Sequence, residues 1–171
     1  MHSAIYAGSF DPVTIGHLDI IKKASKLFDK VYIAIAVNPV KECMFSSDDR
    51  QEMLEVAMKD ILNKDQCNII VMYEDDIVID LAHNLDCHYL IHGIRDQSDI
   101  LHERMIYDIN KALSSDIDTV FIMCDSDLVN ISSSAVRNVI KYSSNLETNK
   151  YVRALYRYLP SKVIDLLTKN C

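Results

Sequence analysis

The segment GSFDPVTIGH, residues 8–17, gathers residue types that together can hold and polarise an anion. Ser9 offers a hydroxyl, and a helix starting near Gly16 adds main-chain donors backed by the positive end of its dipole. His17 falls in the first turn of that helix, where its imidazole can face the same anion. Taken alone, such a histidine is more often an ordinary surface residue, and Thr14 reads as a plain helix-entry residue. A second segment, IHGIRD (91–96), supplies Gly93 and Arg95, whose planar guanidinium suits phosphate oxygens or a neighbouring carboxylate such as Asp96 or Asp99. A third, ISSSAVR (131–137), puts Ser132, Ser133 and Ser134 at a helix start, where they serve equally as caps or as phosphate donors. The chain has only three glycines, Gly8, Gly16 and Gly93, and all lie in the first two segments. Glycine permits positive φ and a close approach of ligand to main chain, although it also gathers in loops for no further reason.

These segments need elements to position them, and the hydropathy pattern supplies an alternation. Strands are expected at 3–7, 31–37, 68–73, 87–93 and 118–124. Between them run helices at 17–28, 46–62, 77–86, 99–115 and 132–142, and a last helix begins near Pro160. The stripes expected to face the core are Leu18, Ile21, Ala24, Leu27 and Phe28; Met53, Ala57 and Ile61; and Leu101, Met105, Ile109 and Ala112. Ser46 and Asp49 have capping-box spacing. Five β-α alternations imply an α/β domain built on an open, parallel, five-stranded sheet with helices on both faces. In that architecture ligands bind beyond the C-terminal strand ends, where the strand order reverses. Gly8, Gly16, Gly93, Pro12 and Pro39 all fall on that edge.

Composition narrows the functional classes. A chain of 171 residues is most simply one domain, 1–171, here with a C-terminal helical segment over about 143–171. A net charge of −7 argues against a nucleic-acid-binding surface but not against a small anionic ligand held by a few placed cations. No apolar run approaches the roughly 18 residues of a membrane span, and no signal peptide is visible. Cys43, Cys67, Cys87, Cys124 and Cys171 are odd in number and scattered, which reads as free thiols in the cytoplasm. The acidic run 73–76 reads as a solvated loop.

GSFDPVTIGH resembles the T/H-x-G-H signature of the nucleotidyltransferase superfamily, and ISSSAVR resembles its second signature. NPVKECMFSSDDR (38–50), IHGIRDQSDILHE (91–103) and YLPSKVIDLL (158–167) are similar to bacterial phosphopantetheine adenylyltransferase, in order and over nearly the whole chain. The resemblance implies a Rossmann-like fold and transfer of adenylyl from ATP to 4'-phosphopantetheine, giving dephospho-coenzyme A and pyrophosphate without a covalent enzyme intermediate. It implies that His17 donates to the α-phosphate, that Ser9 and Phe10 hold the reacting phosphates, and that Arg95 holds those of ATP. Gly93, Ile94, Glu103 and the run Leu128, Val129, Asn130, Ile131, Ser132, Ser133 and Ser134 would surround the nucleotide. Ser9, Lys41, Val78 and His92 would bind the acceptor. It further implies Mg2+ bridging the ATP phosphates and a homohexamer, with no residue of the protein assigned as a metal ligand.

At position 92 the family usually carries Arg, and a histidine is shorter, lacks the bidentate fork and is only partly charged at neutral pH. His88 and His92 would share one side of a strand, but no third ligand follows at metal spacing. The segment 143–157 looks longer and more polar than its counterpart in the family. Two other readings compete: a nicotinate mononucleotide adenylyltransferase, whose first motif more often has His where Thr14 stands, and a non-catalytic ATP-binding module.

Overall fold

The computed structural model describes residues 2–36, 42–59, 67–72, 77–142 and 149–169, with 67–72, Asn149 and Lys169 described by main chain alone. Lys41, Ile61, Pro39 and the run 73–76 lie outside the described residues. The strands are β1 (Ser3–Gly8), β2 (Lys30–Ala36), β3 (Cys67–Met72), β4 (Tyr89–Ile94) and β5 (Asp118–Met123). The helices are α1 (Ile15–Leu27), α2 (Ser47–Met58), α3 (Val78–Asn84), α4 (Gln97–Leu113), α5 (Ser133–Tyr142), α6 (Asn149–Leu155) and α7 (Ser161–Lys169). All strand pairs are parallel, in the order β3-β2-β1-β4-β5. The chain thus winds outward from β1 to β3, then returns to place β4 on the other side of β1. Loops leaving β1 and β4 therefore diverge and leave a crevice between them.

Strand alternation sorts the core into two layers. Ala4 and Tyr6 of β1, Val31, Ile33 and Ile35 of β2, and Ile91 of β4 pack with Leu18, Ile21 and Ala24 of α1 and Met53, Leu54 and Ala57 of α2. Ile5, Ala34 and Leu90 point the other way, against Ile79 and Ala82 of α3. The C-terminal segment completes the first layer with Leu155, Leu159, Val163 and Ile164. It also bonds directly to the start of α1, where the Ile15 N–H donates to the Tyr158 carbonyl at 2.9 Å. Ser46 and Asp49 form the expected capping box at α2. Among the described residues, no helix is long and apolar enough to cross a membrane.

The expected inward stripe of α4 is a correction. Leu101, Met105 and Ile109 are 78%, 55% and 53% exposed, and Ala112 is exposed too. The helix turns Asp99, Glu103, Tyr107 and buried Asn110 toward the sheet instead. Helical spacing shows that residues share a face, but the polar partners on β4 decide which face docks. Leu27, at the last turn of α1, is likewise exposed, and Ile20 takes a buried place. Positive φ also falls elsewhere than expected, at Phe10 (45°) and Asp86 (50°), and at no described glycine.

Of the glycines, Gly93 is the one that space requires. A Cβ on Gly93 would stand 2.9 Å from Ile20 Cγ1 and 3.4 Å from the Tyr6 hydroxyl, so β4 and α1 approach too closely for a side chain. A Cβ on Gly16 would meet Thr14 Oγ1 and Ile131 only at ordinary distances of 3.6 and 3.7 Å. Gly93→Ala is expected to cost about 1–3 kcal/mol in urea unfolding, partly recovered by adding Ile20→Ala. Gly16→Ala is expected to cost nothing or to stabilise by up to about 1 kcal/mol, because alanine suits a helical position better. Equal costs at the two sites would contradict this account.

Candidate active site

Beyond the C-terminal ends of β1 and β4 lies a cavity of about 260 Å³. Ser9, Thr14, Gly16 and His17 reach it from the β1–α1 turn, and Gly93, Arg95, Asp99 and Glu103 from β4 and α4. Ile131, Ser132, Ser133, Ser134 and Arg137 enter from the start of α5. The crevice predicted at the order reversal is thus lined by all three sequence segments.

His17 is set by the start of its own helix. The Thr14 main-chain N–H donates to His17 Nδ1 at 3.0 Å, and the His17 N–H bonds back to Thr14 Oγ1 at 3.4 Å. Thr14 is 1% exposed and forms a reciprocal cap with His17 as the third helical residue. An amide can only donate, so Nδ1 is an acceptor and the neutral ring carries its proton on Nε2. The Phe10 ring lies edge-on to the imidazole, 5.1 Å away, and the Tyr6 ring lies edge-on to Phe10 at 5.5 Å. Burial, followed by the Arg95 guanidinium, pushes the His17 pKa down to about 4. Burial likewise pushes the Tyr6 phenol above its ordinary range, so it lines the cavity protonated.

Arg95 is held by Asp99 through two bonds of 2.9 Å, from Nε and Nη2 to separate carboxylate oxygens. Burial alone would raise the Asp99 pKa, but those bonds outweigh it and hold the carboxyl below its usual range. The expectation of an Arg95 ion pair is met, and the residue also lines the cavity. His92 turns its Nδ1 to the Glu103 carboxylate, with its ring 6.2 Å from that of Phe121.

At α5, Ser132 Oγ accepts from the Ala135 N–H at 3.2 Å, which is capping. Ser133 Oγ instead donates to the Pro12 carbonyl at 2.8 Å, and Arg137 donates to the Asp11 carbonyl at 2.5 Å and to Ser134 Oγ at 2.9 Å. The same three serines thus cap one helix, hold the first turn and line the cavity.

Several expected residues do not line the cavity. Phe10 is 1% exposed, with its ring packed against those of Tyr6 and His17. Ile94 is buried at the end of β4. Leu128, Val129 and Asn130 belong to and follow a single turn at Ser126–Leu128, and only Ile131 of that run reaches the cavity before the serines. Val78 packs with the second core layer.

Sequence reading passed over Tyr6, Ile20, Asp99, Cys124 and Arg137 as lining residues. Arg137 was findable, since it stands one helical turn after Ser134. Tyr6, Ile20 and Asp99 lie on a strand or helices whose pattern hid the side they present, and Cys124 directly follows β5.

Because burial keeps His17 neutral, it is expected not to titrate between pH 5.5 and 8 in the ligand-free protein. Imidazole 15N spectra are expected to show Nδ1 unprotonated and Nε2 protonated. The unfolded chain protonates this ring near 6.5 and the folded protein near 4. The contribution is therefore complete above 6.5 and is lost as pH falls between those values. His17→Gln is expected to flatten that part of the stability profile. A ring titrating near 6.5, or carrying its proton on Nδ1, would overturn the assignment.

Residues 5–139 match the cytidylyltransferase-like family. A phosphopantetheine adenylyltransferase from Nautilia profundicola is 40% identical over 155 residues, covering 89% of this chain and 97% of that protein. One from Clostridium novyi is 36% identical over 170 residues, covering 99% and 97%. Among solved structures, a Plasmodium falciparum nicotinic acid mononucleotide adenylyltransferase complexed with NaAD superposes with a TM-score of 0.74 at 18% identity, covering 99% of this chain and 95% of that one. That likeness establishes the fold alone. With near-complete coverage in both directions, the chain belongs to the cytidylyltransferase-like family and, within it, to the phosphopantetheine adenylyltransferases.

Proposed function

We propose that the protein transfers the adenylyl group of ATP to 4'-phosphopantetheine in coenzyme A biosynthesis. The observation that carries this reading is the Thr14–His17 cap, which leaves an Nε2–H donor for the cavity that Ser9, Arg95 and the α5 N-terminus share. A phosphate oxygen of the acceptor attacks the α-phosphorus in line. The bond from that phosphorus to the bridging oxygen breaks, and pyrophosphate leaves with the electron pair. The task for the protein is to hold both phosphates in line and stabilise charge growing on the equatorial oxygens. His17 Nε2–H donates to an α-phosphate oxygen. Among the described residues its ring bonds to Thr14 and to no serine, so it activates no side-chain nucleophile.

Arg95 retains N–H groups beyond the two that Asp99 occupies, and these serve the outer ATP phosphates. Ser9 reaches both substrates, and Lys41, Val78 and His92 serve the acceptor. Phe10 and Ile94 act through their main chain, and Leu128, Val129 and Asn130 border the base. Magnesium enters with ATP as part of the substrate. The cavity carboxylates Asp99 and Glu103 are engaged by Arg95 and His92, so phosphate and water oxygens are its natural ligands. A cytoplasmic setting is supported by the free thiols of Cys43, Cys87 and Cys124.

The acceptor rests on the curated relatives. Nicotinate mononucleotide is the second reading, favoured by the Plasmodium falciparum structure, but only at the level of fold. In a pyrophosphate-release assay with ATP and magnesium, release is expected to require 4'-phosphopantetheine and to fall at least 100-fold in His17→Ala. Release with nicotinate mononucleotide instead would change the acceptor, and ATP binding without turnover would leave only a binding module. In the same assay His92→Arg, restoring the family's usual side chain, is expected to lower KM for phosphopantetheine. An unchanged or higher KM would remove His92 from the acceptor site.

A homohexamer is supported by the exposed apolar stripe of Leu101, Met105 and Ile109 on α4, and by Phe121 and Met123, also exposed, on the sheet-edge strand β5. A solvent-facing stripe of this kind ordinarily marks an interface. Light scattering is expected to give six subunits for the wild type and a smaller species for the Leu101→Glu/Met105→Glu variant. A wild-type monomer, or an unchanged assembly in the variant, would sink this reading.

A further inference from the structure

Arg50 lies in α2, at the end of the 38–50 segment, has no role assigned to it above, and is only 2% exposed. Its Nη1 donates to the Ser9 carbonyl at 2.7 Å and to the Ala36 carbonyl at 3.1 Å, and its Nε donates to the Ser46 carbonyl at 3.3 Å. One guanidinium therefore joins the turn after β1, the end of β2 and the cap of α2. All three acceptors are main-chain carbonyls. No carboxylate among the described residues lies within ion-pair distance of it.

Such an arrangement is costly for stability alone. Carbonyl dipoles satisfy the N–H groups but do not neutralise the charge, and a buried cation ordinarily recruits a carboxylate. The nearby acid does not take that part. Asp11 is 1% exposed and spends its carboxylate on the N–H groups of Met44 and Phe45, each at 2.9 Å, with Arg137 at 3.5 Å. The result is a crossed tie. Asp11 reaches from the first turn to the chain before α2, and Arg50 reaches back from α2 to the first turn. Between them stands Ser9, whose carbonyl is pulled inward by Arg50 while the residue lines the cavity.

We propose that Arg50 is a positioning residue of the adenylyl-transfer site. It fixes Ser9 against the reacting phosphates and leaves a positive charge beneath the turn, where an anionic substrate supplies the missing counter-charge. The inference rests on the adenylyl-transfer reading. It predicts an effect on the chemical step more than on the fold, because displacement of a positioned group by about an ångström costs on the order of 100-fold in rate.

The test measures pyrophosphate release, KM for both substrates and thermal unfolding for wild type, Arg50→Gln, Arg50→Lys, Ser9→Ala and Arg50→Gln/Ser9→Ala. Arg50→Gln is expected to fold and to lose about 100-fold in kcat, with the larger KM rise on the substrate that Ser9 holds. Arg50→Lys keeps the charge, but its single nitrogen does not span the three carbonyls, so a loss of about 10-fold is expected. The double variant is expected to be no worse than the poorer single variant within about threefold, since both changes act through Ser9. Wild-type kcat in Arg50→Lys or Arg50→Gln, or losses that multiply in the double variant, would overturn the proposal. If Arg50→Gln does not fold, Arg50→Lys and its double with Ser9→Ala decide by the same criteria. A wild type that releases no pyrophosphate with any acceptor would instead sink the adenylyl-transfer reading itself.

Discussion

A single hydrogen bond, from the Thr14 main-chain N–H to His17 Nδ1, organises the active end of this protein. It closes the cap that starts α1, and by making Nδ1 an acceptor it leaves the ring proton on Nε2. Helix initiation and the protonation state of the site are therefore one interaction. The edge-on Phe10 ring and the burial around it keep the imidazole neutral, which suits a donor that must not itself exchange a proton. A donor of this kind performs electrostatic stabilisation without general-base chemistry, matching a reaction between two phosphates.

That cap works only if the turn before it is rigid, and the turn is held from three directions. Arg50 pulls on Ser9 from α2, Arg137 and Ser133 bind Asp11 and Pro12 from α5, and the Asp11 carboxylate ties back to Met44 and Phe45. Each tie joins segments far apart in sequence. The parallel sheet makes them possible by delivering every β-to-α turn to one edge. The C-terminal helices contribute from behind, since Tyr158 accepts the N–H of Ile15 and Leu155, Leu159 and Val163 fill the core under α1. The tail is thereby a structural support of the site rather than an appendage.

On α4, Asp99 and Glu103 hold Arg95 and His92 while the apolar stripe faces outward. The helix thus binds the sheet through polar contacts at the site and offers its hydrophobic side elsewhere. Its amphipathicity is real but reversed in use, which is why periodicity alone misplaced its buried face.

The alternation of strands and helices, the parallel sheet, the capping box of α2 and the clustering of Ser9, His17, Gly93, Arg95 and the three serines at one edge were all legible in the sequence. Each depends on local pattern: period two or near four, cap residues at fixed spacing, and glycine at the end of a strand. The His17 donor was also nearly legible, because its partner Thr14 stands three residues away. Only the tertiary structure decided the rest. The strand order, the outward stripe of α4 and the roles of Asp11, Arg50 and Arg137 depend on groups 14 to 126 residues apart meeting in space. The glycines make the same point, since Gly93 is required by the approach of Ile20 and not by its own dihedral angles. Local spacing determines which residues share a face, whereas the packing partner determines what that face does.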